Sequence, residues 1–431
     1  MLPFLTPEFP GIGGVIRQRD EDFFVQEIPL YEASGDGEHV LCEIQKVGIT
    51  TFRACDDIGR ALNVHPRDIG FAGMKDAHAV ARQLFTIPRV REDAVMQLAV
   101  PGLTPLWAAR HKNKLKIGHL KGNRFAIKIR AVHATDVVKL RPVLDRIERD
   151  GLPNYFGEQR FGRRNDNDVL GAALLRNDHK EVLDLLLGRP SDAYDKPHQQ
   201  QPRRFYDKGE LDRAMKAWPR SSGMERRVLH RLIKTGSHAK AAQLIDQKLR
   251  RLWLSALQSR LFNDVVAARI QSLGKLLPGD LAYLHANGAC FHVEDVAVEQ
   301  PRADAWEISP TGPLLGFRMT MPTGESLAAE QAIYDKYKLG AQDFRRESRD
   351  SAKGARRPLR VRPTETTLAG GVDEHGPHIT VAFTLPAGSF ATTLLRELTK
   401  TDDMDATRRP ANAATAVTET VEGDGPPSDG E

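Results

Sequence analysis

Over the first 150 residues the spacing of apolar positions alternates between every second residue and every third or fourth. In "HVLCEIQKV", Val40, Cys42 and Ile44 fall on one face of a strand, and "NRFAIKIRAV" does the same with Phe125, Ile127 and Ile129. Between them, "TTFRACDDIGRALNV" spaces Phe52, Cys55, Ile58 and Leu62 at helical intervals behind Thr50 or Thr51 as the capping residue. A further helix is predicted from about Thr135, with Val138, Val143, Leu144 and Ile147 inward, ending at Gly151.

From about Phe156 the texture becomes mostly helical, as in "DHKEVLDLLLG" and "AAQLIDQKLRRLWLSALQSRLFNDVVAARIQSLG", with a short β-like patch at "LAYLHANGACFHVED". Strand signals return in "HITVAFTLP", where Ile379, Val381 and Phe383 share a face, and the helical "SFATTLLREL" follows. A helical block framed by two mixed stretches points to an insertion into one α/β domain rather than successive domains. The expected division is 1–155 and 312–400 for the framing domain, 156–311 for the insertion, and a disordered tail over 401–431.

Composition narrows the class. The chain has 431 residues, 40% hydrophobic and 6% aromatic, and no apolar run near the eighteen or so that a membrane span needs, so a soluble protein is expected. Prolines break the short apolar start and no basic stretch precedes it, so cytoplasm is the expected location. Cys42, Cys55 and Cys290 form no C-x-x-C pair, which speaks against a disulfide framework or zinc site, and all three read as small buried hydrophobes. No HExxH, P-loop or G-x-G-x-x-G motif occurs, so neither a metal nor a nucleotide cofactor is indicated. The net charge of +5 conceals a stronger basic character, because residues 401–431 carry eight acidic side chains against two arginines and leave +11 on residues 1–400. Basic runs at Arg110–Lys116, Arg226–Lys234 and Arg356–Arg362 suit a phosphate backbone.

Three stretches could carry chemistry. "GFAGMKDAHAVARQLFTIP" holds one carboxylate, Asp76, behind Gly73 and Lys75 and ahead of a strand; it is either a turn residue or an ionised nucleophile or base, with Lys75 as a neighbouring positive charge. "LKIGHLKGNRF" places Asn123 and Phe125 two apart, hence on one side of a strand, where an amide and a ring could border a nucleobase pocket, although Phe125 equally suits the strand's core face. "LPNYFGEQRFGRR" interleaves Tyr155, Phe156 and Phe161 with Arg160, Arg163 and Arg164, either as base-stacking and phosphate contacts or as a packed hinge. Ahead of the last helix, Gly388 and Ser389 stand where a phosphate could be received or where Ser389 could cap.

In order, "DEDFFVQEIP", "FAGMKDAHAVARQ", "HKNKLKIGHLKGNRF", "PNYFGEQRFG", "SALQSRLFNDVVAARI" and "FTLPAGSFATTLLREL" make the chain resemble the TruD family of tRNA pseudouridine synthases. The resemblance implies an α/β (α+β) pseudouridine synthase fold, with a mixed, mainly antiparallel sheet and an inserted, mostly helical domain. It also implies isomerisation of uridine to pseudouridine in tRNA, at position 13 in the bacterial members, with no cofactor and no metal; no membrane partner is expected either, from the lack of a long apolar run. A monomer is favoured. By the same resemblance Asp76 corresponds to the essential aspartate of a G-x-K-D motif, and Asn123 and Phe125 to the active-site residues of a G-N-x-F motif. Arg17 corresponds to a basic position that would pair with the aspartate. Lys112, Lys114, Arg160, Arg163 and Arg164 are the candidate RNA contacts. A synthase acting on other RNAs and a noncatalytic RNA-binding or RNA-folding protein of the same architecture are the alternative readings.

Overall fold

The structure is a computed structural model, in which residues 2–344, 350, 352–402 and 405 are described. Two compact units emerge. One comprises residues up to Leu5 and Pro153–Val361, the other Thr6–Leu152 with the chain from Arg362 onward. The second junction thus falls near residue 361, not 311. The reason is pairing: the strand Ile308–Leu314 runs antiparallel to Ala355–Pro358, which holds the intervening chain in the inserted unit. Of the tail expected to be disordered over 401–431, all but residues 401, 402 and 405 lies outside the described residues.

The framing unit is built on an eight-stranded sheet. Its strands include β1 (Phe23–Pro29), β2 (His39–Val47), β3 (Gly70–Phe71), β4 (Val80–Pro88), β5 (Leu103–His111) and β6 (Leu120–Arg130). The order is Thr364–Asp373, Gly376–Pro386, β6, β1, β4, β2, β5, with β3 paired to β4. Only β1 with β4 is parallel; the remaining pairs are antiparallel. The sheet is therefore mixed and mainly antiparallel, as the family resemblance implies.

Helix α1 (Thr51–Leu62) is capped by Thr50, whose side chain accepts from the Arg53 amide, and ends at Asn63 in the left-handed region. Its Ala54, Cys55 and Ile58 pack with Val40, Cys42 and Ile44 of β2 and Phe85 and Ile87 of β4. Each such aliphatic burial contributes roughly 1.5–3 kcal/mol. Two expected inward residues face out instead: Phe52 is 61% exposed, and Val138 is exposed in the helix Val137–Asp150. In both helices the buried stripe runs through other positions, Leu140, Val143, Leu144 and Ile147 in the second case, and a residue one or two steps off a 3.6-residue stripe turns toward solvent.

The inserted unit packs helices including Asn167–Leu175, His179–Leu187, Gly223–Thr235 and Gln247–Ala268, with Leu174, Val182, Leu183, Leu187, Trp218 and Leu229 in its core. It also carries a four-stranded sheet. Cys42 and Cys55 are buried, but Cys290, on a short strand of that sheet, is exposed, so the third expected buried thiol is a surface one.

Candidate active site around Asp76

The segment between β3 and β4 is held by side chains that bond to its backbone. Gln83, wholly buried on β4, donates to the Gly73 carbonyl at 2.6 Å and accepts from Thr51 Oγ1 at 3.1 Å. The Lys75 amide donates to that same Thr51 hydroxyl at 2.9 Å. From the other side Lys46 Nζ, on β2, donates to the carbonyls of Asp76 at 2.7 Å and Ile49 at 2.8 Å, with the Lys75 carbonyl at 3.4 Å. Three donors thus meet three backbone acceptors, so a lysine with no exposed surface fixes the peptide that carries Asp76. Burial pushes the Lys46 amine down to about 8, Lys75 adds to that, and the charges of Asp76, Glu27 and Asp20 oppose it.

On this anchored backbone the Asp76 side chain remains 51% exposed. Its Oδ2 accepts from Arg17 Nη2 at 2.6 Å, and among the described residues Oδ1 has no protein partner. Arg17 is itself buried, with its guanidinium 3.9 Å over the Phe23 ring and Nη1 donating to Asp405 Oδ2 at 2.5 Å. Its φ of 57° lies in the left-handed region, which costs a non-glycine residue on the order of 1 kcal/mol. The pairings on the two terminal guanidinium nitrogens and the ring beneath hold that strained conformer.

Lys75 does not serve as the counter-charge of Asp76. Its Nζ turns the other way, to Glu27 Oε1 at 2.9 Å and to Asn123 Oδ1 at 2.8 Å. Glu27 stands directly opposite Asn123 in the β1–β6 register, and its other oxygen accepts from the Leu84 amide at 3.0 Å. That amide belongs to the stretch of β4 between the part paired with β1, ending at Arg82, and the part paired with β3, starting at Phe85, so the carboxylate fills a gap in the ladder. Burial pushes Glu27 upward, opposed by Lys75 and the Leu84 amide.

Asp76, Arg17 and, through Lys75, Asn123 are brought together. Phe125 is 7% exposed, stacked on Phe383 at 5.3 Å and edge-on at 6.2 Å to Phe23, the ring that Arg17 covers, so it packs in the core behind that ring. Of the candidate RNA contacts, Lys112 is exposed beside Asp36 at 3.3 Å, and Lys114 donates to the Arg67 carbonyl at 2.5 Å. Arg160, Arg163 and Arg164 belong to the inserted unit. There Arg160 lies over Phe156, Arg163 donates to the Tyr194 carbonyl, and Arg164 is paired with Asp166 and Asp195. Tyr155, Phe156 and Phe161 are buried core rings rather than exposed stacking platforms. Ser389 sits one residue before the cap of the helix Ala391–Thr399, whose capping position is Phe390, so it does not cap.

Glu27 and Lys46 escape motif reading, yet both leave a trace. Each continues an inward alternation, Phe23–Val25–Glu27 and Val40–Cys42–Ile44–Lys46, and a charge on a core-facing position demands a partner. Among the described residues no cluster of three or more His, Cys, Asp or Glu could hold a metal ion, and no helix is long and apolar enough to cross a membrane.

Residues 2–398 match the family model for tRNA pseudouridine synthase D (TruD). The chain is 43% identical over 401 residues to tRNA pseudouridine synthase D of Geotalea daltonii, covering 93% of this chain and 100% of that one. With the protein of that name from Thermus thermophilus the identity is 37% over 407 residues, covering 94% and 93%. The crystal structure of a Methanosarcina mazei protein assigned as tRNA pseudouridine synthase D superposes with a TM-score of 0.82 at 25% identity, covering 93% of this chain and 96% of that one.

Proposed function

The chain belongs to the TruD family of pseudouridine synthases, and on that premise we propose that it converts uridine 13 of tRNA to pseudouridine, with Asp76 as the reacting carboxylate. The observation that carries the reading is one half-exposed carboxylate on an immobilised peptide, gripped at Oδ2 by a buried arginine and open at Oδ1. The other readings, a synthase for different RNAs or a noncatalytic binder, require no such carboxylate or leave its substrate unnamed. A cytoplasmic location accords with a tRNA substrate.

The reaction exchanges one bond for another. The C1′–N1 bond of an extruded uridine breaks, the uracil turns, C5 bonds to C1′, the hydrogen on C5 leaves as a proton, and the freed N1 takes up a proton. Oδ1 of Asp76 either adds transiently to the nucleoside or takes a proton from the sugar, and both roles need the ionised, correctly aimed carboxylate that Arg17 and Lys46 hold. The detached uracil must be kept from solvent while it turns, and Asn123 offers its edge a hydrogen-bonding group. Phe125 acts in this scheme by supporting Phe23, on which Arg17 rests.

The test is release of tritium from tRNA labelled at C5 of uridine. The unsubstituted protein should release one equivalent, and a transcript with cytidine in place of uridine 13 should release none. Continued release from that transcript would refute the position, and equal release by Asp76→Asn would refute the role of the carboxylate.

A further inference from the structure

We propose that Lys75, backed by Glu27, is a positioning residue that fixes which end of the Asn123 amide meets the base, and so selects uracil over cytosine. An ammonium has three donors and no acceptor, so only the amide oxygen of Asn123 can face Lys75 Nζ at 2.8 Å. This settles by chemistry the amide orientation that geometry alone often leaves ambiguous. The planar amide then presents its NH2 group on the side away from Lys75, and among the described residues that group has no hydrogen-bond partner.

Lys75 cannot swing away to leave the choice open. Its side chain is only 8% exposed and is locked to the wholly buried Glu27 carboxylate at 2.9 Å. Glu27 is fixed in turn by the Leu84 amide and by its place opposite Asn123 in the ladder. Lys75 is also the residue next to Asp76, so the oriented amide and the reacting carboxylate hang on one short stretch of backbone.

A donor held in this way accepts one pyrimidine and rejects the other. Uracil carries a carbonyl oxygen at C4, an acceptor, where cytosine carries an amino group, a donor. Against cytosine two donors would face each other, each desolvated and neither satisfied, which costs enough to change affinity on the order of tenfold. The inference rests on the proposed uridine isomerisation and names the residues that recognise its base.

Equilibrium binding of tRNA transcripts with uridine or cytidine at position 13 tests it, using full-length chains that all carry Asp76→Asn to prevent turnover. The parent should prefer the uridine transcript about tenfold. Adding Lys75→Met should bring the ratio near one, and Lys75→Arg, which keeps a donor-only side chain, should restore it. Because Lys75→Met strands a buried carboxylate, Glu27→Leu/Lys75→Met is measured alongside, removing both charges; it too should lose the preference while melting cooperatively. Full preference in either folded variant, or no preference in the parent, overturns the inference. A parent that prefers uridine while the unsubstituted enzyme releases no tritium refutes the isomerase reading and leaves the orienting role of Lys75 standing.

Discussion

Asp76 and Glu27 are two carboxylates on either side of Lys75, and they are put to opposite uses. Asp76 is half exposed, with one oxygen held and one open; Glu27 has no exposed surface, and both its oxygens face donors. Burial opposes ionisation of Glu27, which the adjacent ammonium offsets only in part, whereas the Asp76 side chain stays open to water. A carboxylate that reacts must reach its substrate, and one that organises a site must be sealed so that its partner has nowhere else to go. Lys75, the sequence neighbour of the first, is spent on the second.

The sharpest way to break this contrast is to neutralise each carboxylate in turn. Asp76→Asn should lower single-turnover isomerisation on the order of 10³-fold with the melting temperature nearly unchanged. Glu27→Ala should instead destabilise the fold by about 3–5 kcal/mol in denaturant titrations, since it strands Lys75 and the Leu84 amide. If Asp76→Asn melts the protein as Glu27→Ala does, the division of labour is wrong.

A smaller effect sharpens the comparison through Lys46, whose amine is pushed from its ordinary value of 10.5 down to about 8 in the fold. Between those values the unfolded chain binds more protons, so stability should rise with pH across about 8 to 10.5, the cost of the buried charge being fully present below 8. Lys46→Met should flatten that part of a stability-versus-pH curve. Turnover should move the other way, falling above about pH 8, because a neutral amine has two donors for three carbonyls. A turnover profile that stays flat to pH 9 would show that the ammonium does not hold the Asp76 peptide.

The smallest change concerns RNA grip. Lys112→Ala with Lys114→Ala should weaken tRNA binding a few-fold and reduce the salt slope by about one to two, with turnover of saturated enzyme kept. Most of the loss should come from Lys112, because Lys114 is already engaged with the Arg67 carbonyl. An unchanged salt dependence of binding would remove both lysines from the RNA-contacting surface.

Much of this architecture was legible along the chain. Period-two stretches became β2, β6 and the strand Gly376–Pro386, period-3.6 stretches became α1 and the helix Val137–Asp150, and the change of texture near Phe156 marked the inserted unit. Asp76, Arg17 and Asn123 were legible because their motifs are local strings. The far boundary near residue 361 was not, since it depends on a strand pairing across about forty residues that no local window contains.

Amino-acid order alone determined the elements and the family, and it singled out Asp76 as the carboxylate proposed to react, because side-chain periodicity and short motifs are properties of neighbours along the chain. Only the folded structure decided that Lys75 turns from Asp76 to Glu27, that Phe125 packs against Phe23 and Phe383 in the core, and that Lys46 clamps the Asp76 peptide. Those choices follow from which groups the sheet buries together, and a buried charge goes to the partner that best repays its lost hydration, however far away in sequence that partner lies.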